Sequence, residues 1–165
     1  MKIFIKNKLF SLGGSSIAED ENHNRVFKIK GKWVLFSPTR KKKIYDKDGK
    51  LLFVVRNKWF NWWNTRAYIF DNKKQKIATL KNMPRLTDGA KFVVEDYKDE
   101  ISFDGKFFSG KMNILKNGEV IGTIIRDFNL VRDSFSLESS EENIEFLTAL
   151  VIAMDNILDK NSRNK

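Results

Sequence analysis

The sequence predicts a β-dominated α+β fold: a barrel of repeated hairpins completed by a buried, apolar C-terminal helix. Three observations predict it. A unit of about 25 residues recurs through the first half, apolar residues alternate with period two inside each unit, and the last part of the chain changes to a helical pattern that is apolar on almost every side.

The repeat comes first. Asp20–Lys30 reads DENHNRVFKIK, Asp46–Arg56 reads DKDGKLLFVVR and Asp71–Lys81 reads DNKKQKIATLK. Each unit passes from an acidic turn into a strand and ends on a base. Phe27 and Ile29, Phe53 and Val55, and Ala78 and Leu80 occupy equivalent positions. They are expected to face the core, with Lys28, Lys30, Arg56 and Lys81 facing solvent, because successive strand residues point to opposite faces. A helix with this pattern would bury charge. Asp48-Gly49, Asp88-Gly89, Asp104-Gly105 and Asn117-Gly118 are tight-turn signals, since Gly and Asn tolerate positive φ.

The second half continues in the same manner, with strands expected near 90–96, 99–104, 107–116, 119–127 and 133–138. Both faces of 119–127 are apolar enough that its inward set stays open. Ser139-Ser140-Glu141-Glu142 then offers a capping box. Ile144, Leu147, Val151, Met154 and Leu158 mark one helical face, and Phe146, Ala149, Leu150, Ile152, Ala153 and Ile157 nearly close the circle. A helix apolar all round must be buried, and a meander that ends in one suggests a sheet wrapped around it. Residues 144–158 span roughly 20 Å at about 1.5 Å per residue, too short to cross a bilayer.

Composition sets further bounds. The 165 residues suit one domain, expected over 1–160, with strands within 1–138, the helix at 141–159 and a short polar tail at 161–165. With 41% hydrophobic and 13% aromatic residues the chain is not a disordered one. The lack of Cys excludes disulfides, thiolate metal sites and cysteine nucleophiles, and fits a reducing compartment. Residues 1–12 alternate charged and apolar residues, unlike a signal peptide. A cytoplasmic protein is expected, peripheral at most to the inner membrane surface. The net charge of +10 is unevenly placed: residues 1–85 hold 21 Lys and Arg against 6 Asp and Glu, residues 86–165 hold 10 against 15. A polar field with one face suited to anions accounts for this, and so does the compositional bias of an AT-rich coding sequence.

Lys8-Leu9-Phe10-Ser11, Lys32-Trp33-Val34-Leu35-Phe36-Ser37 and Lys58-Trp59-Phe60, the turn Ile44-Tyr45-Asp46-Lys47-Asp48-Gly49, and the closing segment NIEFLTALVIAMDNIL at 143–158 together resemble the LURP-one-related family, typified also by bacterial YxjI-like proteins, within the tubby C-terminal-like superfamily. The resemblance runs from about Lys2 to Asp159. It implies a roughly twelve-stranded antiparallel closed barrel around the hydrophobic helix, and no reaction. Tubby proteins bind phosphoinositides through basic surface residues, but no motif here receives those residues, so the likeness is one of fold.

Candidate sites divide between function and plain architecture. Arg40, Lys41, Lys42 and Lys43 form the densest basic run, which would suit phosphate groups of lipid or nucleic acid or simply discourage edge pairing. In an extended strand neighbouring side chains point to opposite faces, so the four would share one patch only if the run were a loop. Trp62 and Trp63, beside Lys58 and Arg66, would suit an interfacial anchor or a base-stacking platform. Trp33 and Trp59 occupy equivalent repeat positions and read as cross-strand packing. His23 lies in a polar turn, and one His without Cys makes neither the common zinc sites nor a supported triad. Asp96, Asp99, Glu100 and Asp104 do not have calcium-loop spacing, and Gly13-Gly14-Ser15-Ser16 lacks a phosphate-loop pattern.

No catalytic residue, metal or cofactor is therefore expected. The leading expectation is a non-enzymatic binding or scaffold module that meets an anionic membrane surface or phosphoinositide-like head groups. The alternative is a nucleic-acid-binding protein using the basic half. Oligomeric state has no signal in the sequence.

Overall fold

A computed structural model describes residues 1–7, 15–32, 41–57, 66–85, 89–106, 110–129, 132–140 and 143–162. Twelve strands precede one helix: β1 (Lys2–Asn7), β2 (Ser16–Glu19), β3 (Arg25–Lys32), β4 (Lys41–Tyr45), β5 (Leu51–Asn57), β6 (Arg66–Phe70), β7 (Lys76–Arg85), β8 (Gly89–Glu95), β9 (Ile101–Lys106), β10 (Lys111–Lys116), β11 (Glu119–Asn129), β12 (Arg132–Ser139) and α1 (Ile144–Ser162). They form one antiparallel sheet in the order β8-β7-β6-β5-β4-β3-β2-β1-β12-β11-β10-β9. β1 pairs with both β2 and β12, so the first strand joins the two halves of the meander. The sheet curls into a nearly closed barrel. Its edge strands β8 and β9 meet at a seam, where Phe92 and Phe103 pack edge to face with centroids 6.3 Å apart.

The expected repeat has one physical device at its head. In each unit the aspartate Oδ1 accepts the backbone N–H groups two and four residues on: Asn22 and Asn24 for Asp20, Asp48 and Lys50 for Asp46, Lys73 and Gln75 for Asp71. The backbone closes each turn in the same way, with the Asp N–H donating to the carbonyl of the residue four on. The third residue after each aspartate, His23, Gly49 or Lys74, takes a positive φ of 61°, 87° or 67°. An aspartate that organises its own following backbone is a known turn former. Here it starts three strands in register.

The alternation holds at most positions, but Val54 and Thr79, on the solvent-side positions of the repeat, are buried as well. Phe27, Ile29, Val55, Ala78 and Leu80 are buried, and Phe53 packs against the core. Lys28, Lys30 and Arg56 are exposed and Lys81 is half-buried. In β11 the open choice resolves in favour of Ile124, which is buried, while Val120 and Ile125 face solvent. Asn117 and Gly118, both at positive φ (52° and 87°), make the expected β10–β11 turn.

Two local expectations fail. Asp104-Gly105 is not a turn, because both residues lie within β9, where Gly105 pairs with Met112 at φ 111°. A Cβ there would stand 2.8 Å from the Lys111 carbonyl oxygen, so the glycine serves a close backbone approach. Nor does Ser139 begin a capping box. It continues β12, paired with Gly122, and its hydroxyl donates to the Ile121 carbonyl at 2.6 Å. Asn143 caps the helix instead, its Oδ1 accepting from the Phe146 N–H at 3.4 Å.

The helix fills the barrel. Every residue from Phe146 to Ile157 is buried. It starts beyond β12, at the end where Met1 and Ser139 exchange backbone hydrogen bonds. From there it runs inward, its Phe146 packing edge to face on Phe53. Its later residues reach Lys42 of β4 and Asn57 of β5. Among the described residues, no helix is long and apolar enough to cross a membrane.

Candidate anion-binding wall and the polar interior behind it

The expected basic run divides as strand geometry requires. Lys41 and Lys43 point outward from β4 and are half-buried. Lys42 points inward and is only 3% exposed, its Nζ 2.7 Å from Asp155 Oδ2 of the helix. Lys42 is therefore withdrawn from the surface set: a buried cation already paired cannot meet an outside anion. Removing one partner of a buried pair typically costs about 3–5 kcal/mol, so a change at Lys42 is a lesion of folding before it is a probe of binding. Arg40, Lys58, Trp62 and Trp63, with the hairpin ends around Trp33 and Trp59, lie outside the described residues. Arg66 opens β6 and is half-buried, paired in register with Lys81.

The register gathers other cations beside Lys41 and Lys43. Lys30 stands opposite Lys43, and Lys41 stands between Lys32 and Arg56. Lys28 stands opposite Tyr45, over whose ring the Lys30 ammonium lies at 5.4 Å. Arg56 faces Tyr68, two residues from Arg66 on β6. These positions make one continuous outer wall of Lys28, Lys30, Lys41, Lys43, Arg56 and Arg66, with Tyr45 and Tyr68 between. The four strands contain nine Lys and Arg and not one Asp or Glu.

The flanks behave differently. On β1 and β2, Lys6 pairs with Glu19 at 2.8 Å. Around β7 and β8, Lys76 pairs with Asp96 at 2.8 Å, and Lys81 with Glu95. Like charges directly opposite in adjacent strands destabilise a sheet by a few tenths of a kcal/mol to about 1 kcal/mol. The wall therefore carries a local electrostatic cost that its flanks avoid. Sequence reading missed Lys28, Lys30 and Arg56 as members of a site. The signal was present in the repeat register, which had placed all three outward.

Behind the wall the interior is polar. Beside the Lys42–Asp155 pair, Asn57 Nδ2 donates to the Asn156 carbonyl at 2.9 Å. At the opposite end of the barrel, Tyr97 stacks on Phe146 with centroids 3.9 Å apart, and Asn143 Nδ2 donates to its hydroxyl at 3.1 Å. A cleft of about 170 Å³ opens there, lined by Lys98, Asp99, Ile101 and Lys116 among others. Lys116 and Asp99 stand 3.9 Å apart within it, so its charges partly answer each other. His23 is exposed in its turn, 3.9 Å from Glu19. Among the described residues no group of three or more potential metal ligands comes together.

The LURP-one-related sequence profile matches residues 1–155. The chain belongs to the LURP-one-related family. A structural match agrees on the fold: an X-ray structure of a protein from Arabidopsis thaliana superposes with a TM-score of 0.58 at 16% identity, covering 93% of this chain and 90% of that one. A search of curated proteins gave no significant match. The LURP-one-related barrel is thus conveyed by the pattern of strands and helix across almost the full length, at an identity that carries fold and nothing finer.

Proposed function

We propose that this LURP-one-related barrel is a non-enzymatic binding module that docks on anionic phospholipid surfaces through the outer wall of β3–β6. The observation that carries this reading is the acid-free wall: six outward cations on four adjacent strands that contain no Asp or Glu, whereas Lys6, Lys76 and Lys81 on the flanking strands pair with carboxylates. Side chains on adjacent strands of one face act together, unlike charges scattered around a barrel. Each Lys or Arg near an anionic leaflet contributes about 1 kcal/mol. Four acting together therefore give a dissociation constant on the order of 1 mM, weak and reversible binding that a second signal would strengthen.

The test is sedimentation with phosphatidylserine-containing and neutral vesicles at about 0.1 M salt, where the Debye length is about 10 Å. The wild type is expected to pellet with the anionic vesicles only. Lys43→Glu is the informative variant. It replaces the Lys30–Lys43 repulsion with an attraction, so it should hold or raise thermal stability while weakening vesicle binding. Wild type that ignores both vesicles, or Lys43→Glu that binds as wild type does, removes the wall as the docking site. Displacement from vesicles by a modest excess of mixed-sequence oligonucleotide would favour the nucleic-acid alternative.

A further inference from the structure

The polar interior at Asp155 and Asn156 has a hydrogen-bond inventory that the protein does not complete. Asn156 is fully buried, and both its Nδ2 and its Oδ1 lack a partner. Exchanging the two ends of that amide changes nothing, since both are unanswered. Asn57 is 4% exposed, and its orientation is fixed because its Nδ2 must donate to the Asn156 carbonyl. Its Oδ1 is left without a partner. A buried amide atom without a partner destabilises the fold, because it has given up its bond to water and gained none in return. Asn57 and Asn156, joined by a hydrogen bond and each with such an atom, are not what an apolar barrel would retain for packing.

Charge narrows the occupant. Lys42 and Asp155 answer each other at 2.7 Å, so the site is neutral and offers an ionic ligand nothing. The open valences are one acceptor on Asn57 and one donor and one acceptor on Asn156. The occupant must donate at least twice and accept at least once. Water does this, and two to four polar partners are what an enclosed water needs.

We infer that Asn57 and Asn156 hold ordered water inside the barrel, forming a hydrated polar joint that seats the later turns of the helix against β5. The joint lies directly behind the basic wall, since Lys42 points inward between the outward Lys41 and Lys43. It gives the helix a fixed depth and rotation that apolar packing alone does not specify, because the residues before Asp155 are apolar on nearly every side and could slide by a turn.

The experiment is nuclear magnetic resonance on the isotope-labelled full chain. Direct water cross-peaks to the side-chain amide protons of Asn57 and Asn156 are expected in the folded protein, and their absence from both residues overturns the inference. Asn156→Leu gives an independent reading of sign. If water is held, the substitution expels it and strands Asn57 Oδ1, lowering Tm by roughly 3 °C or more. If the asparagines are dry, the same change removes an unpaired amide, and a raised Tm overturns the proposal. Should Asn156→Leu fail to fold, the wild-type cross-peaks still decide. Neither reading involves vesicles, so each stands or falls apart from membrane docking.

Discussion

Leu150 tests the claim that the helix is the centre of the core. It is fully buried, in a run from Phe146 to Ile157 where no residue faces solvent. Leu150→Ala deletes three carbons, worth about 0.8 kcal/mol each or about 2.4 kcal/mol of transfer free energy. A barrel wall of paired strands cannot fold inward to fill the space. If about 60 Å³ stays open, at about 24 cal/mol per Å³ a further ~1.4 kcal/mol follows. The expected loss is therefore about 4 kcal/mol, read as a lower urea midpoint at unchanged slope. Glu145→Ala, an exposed position on the first turn, is the control and should stay within about 0.5 kcal/mol. A loss below about 1 kcal/mol at Leu150 would mean that the barrel stands without the helix. A chain ended at Glu138 that still melted cooperatively near the intact temperature would say the same.

Two further perturbations probe the turns. Asp71→Ala removes the acceptor of the Lys73 and Gln75 N–H groups and should cost about 1 kcal/mol, since exposed donors can turn to water; denaturant titration checks it, and no change would show the turn to be held by its backbone alone. The pH profile should fall at both extremes. The Asn24 backbone N–H holds the Asp20 carboxyl below its ordinary value of 3.8, and hydrogen bonds from Lys76 and then Thr79 hold Asp96 below the same value. Their contributions are complete above that value and disappear as pH falls through the folded pKa. The Asp96 hydrogen bond raises Lys76 above 10.5, so its contribution is complete below 10.5 and disappears as pH rises through the folded value. Asp96→Asn should flatten both limbs in a thermal-melt series, and identical profiles for variant and wild type would remove the pair from the account.

Much of the fold was legible because each unit carries its own instructions. Asp20, Asp46 and Asp71 start their strands by local hydrogen bonds, and period-two alternation then fixes which side chains enter the core. A one-residue slip would bury Lys28 and Lys30 together, so the register had one acceptable value. The helix was legible from its all-round apolar surface. Its start was not, because Ser139 has the composition of a cap and the cross-strand environment of a β residue. Its hydroxyl met the Ile121 carbonyl, a partner 18 residues away in sequence. Gly105 misled in a similar way. Asp-Gly is a turn signal in isolation, but here the glycine answers the approach of the Lys111 carbonyl from the neighbouring strand.

The candidate site was harder to read, because a site on a barrel wall is a property of columns and sequence presents rows. Arg40–Lys43 stands out as a row, yet the strand sends alternate members to opposite sides, and Lys42 ends in the core on Asp155, 113 residues away. The wall that does form is a set of columns: Lys30 beside Lys43, Lys41 beside Arg56, one residue from each hairpin. No local window contains it. What sets the wall apart from its flanks is a difference in charge pairing within the same barrel. On β1 and β7, Lys6, Lys76 and Lys81 are answered by Glu19, Asp96 and Glu95. Where β3–β6 expose lysine and arginine, the strands contain no acid at all. Cross-strand repulsion costs stability whether or not a ligand is present, and an acid on β4 or β5 would relieve it at no loss of packing. The absence of that relief is the physical reason to look for an anion outside the wall, and Lys43→Glu, which supplies the relief, separates the cost from its use.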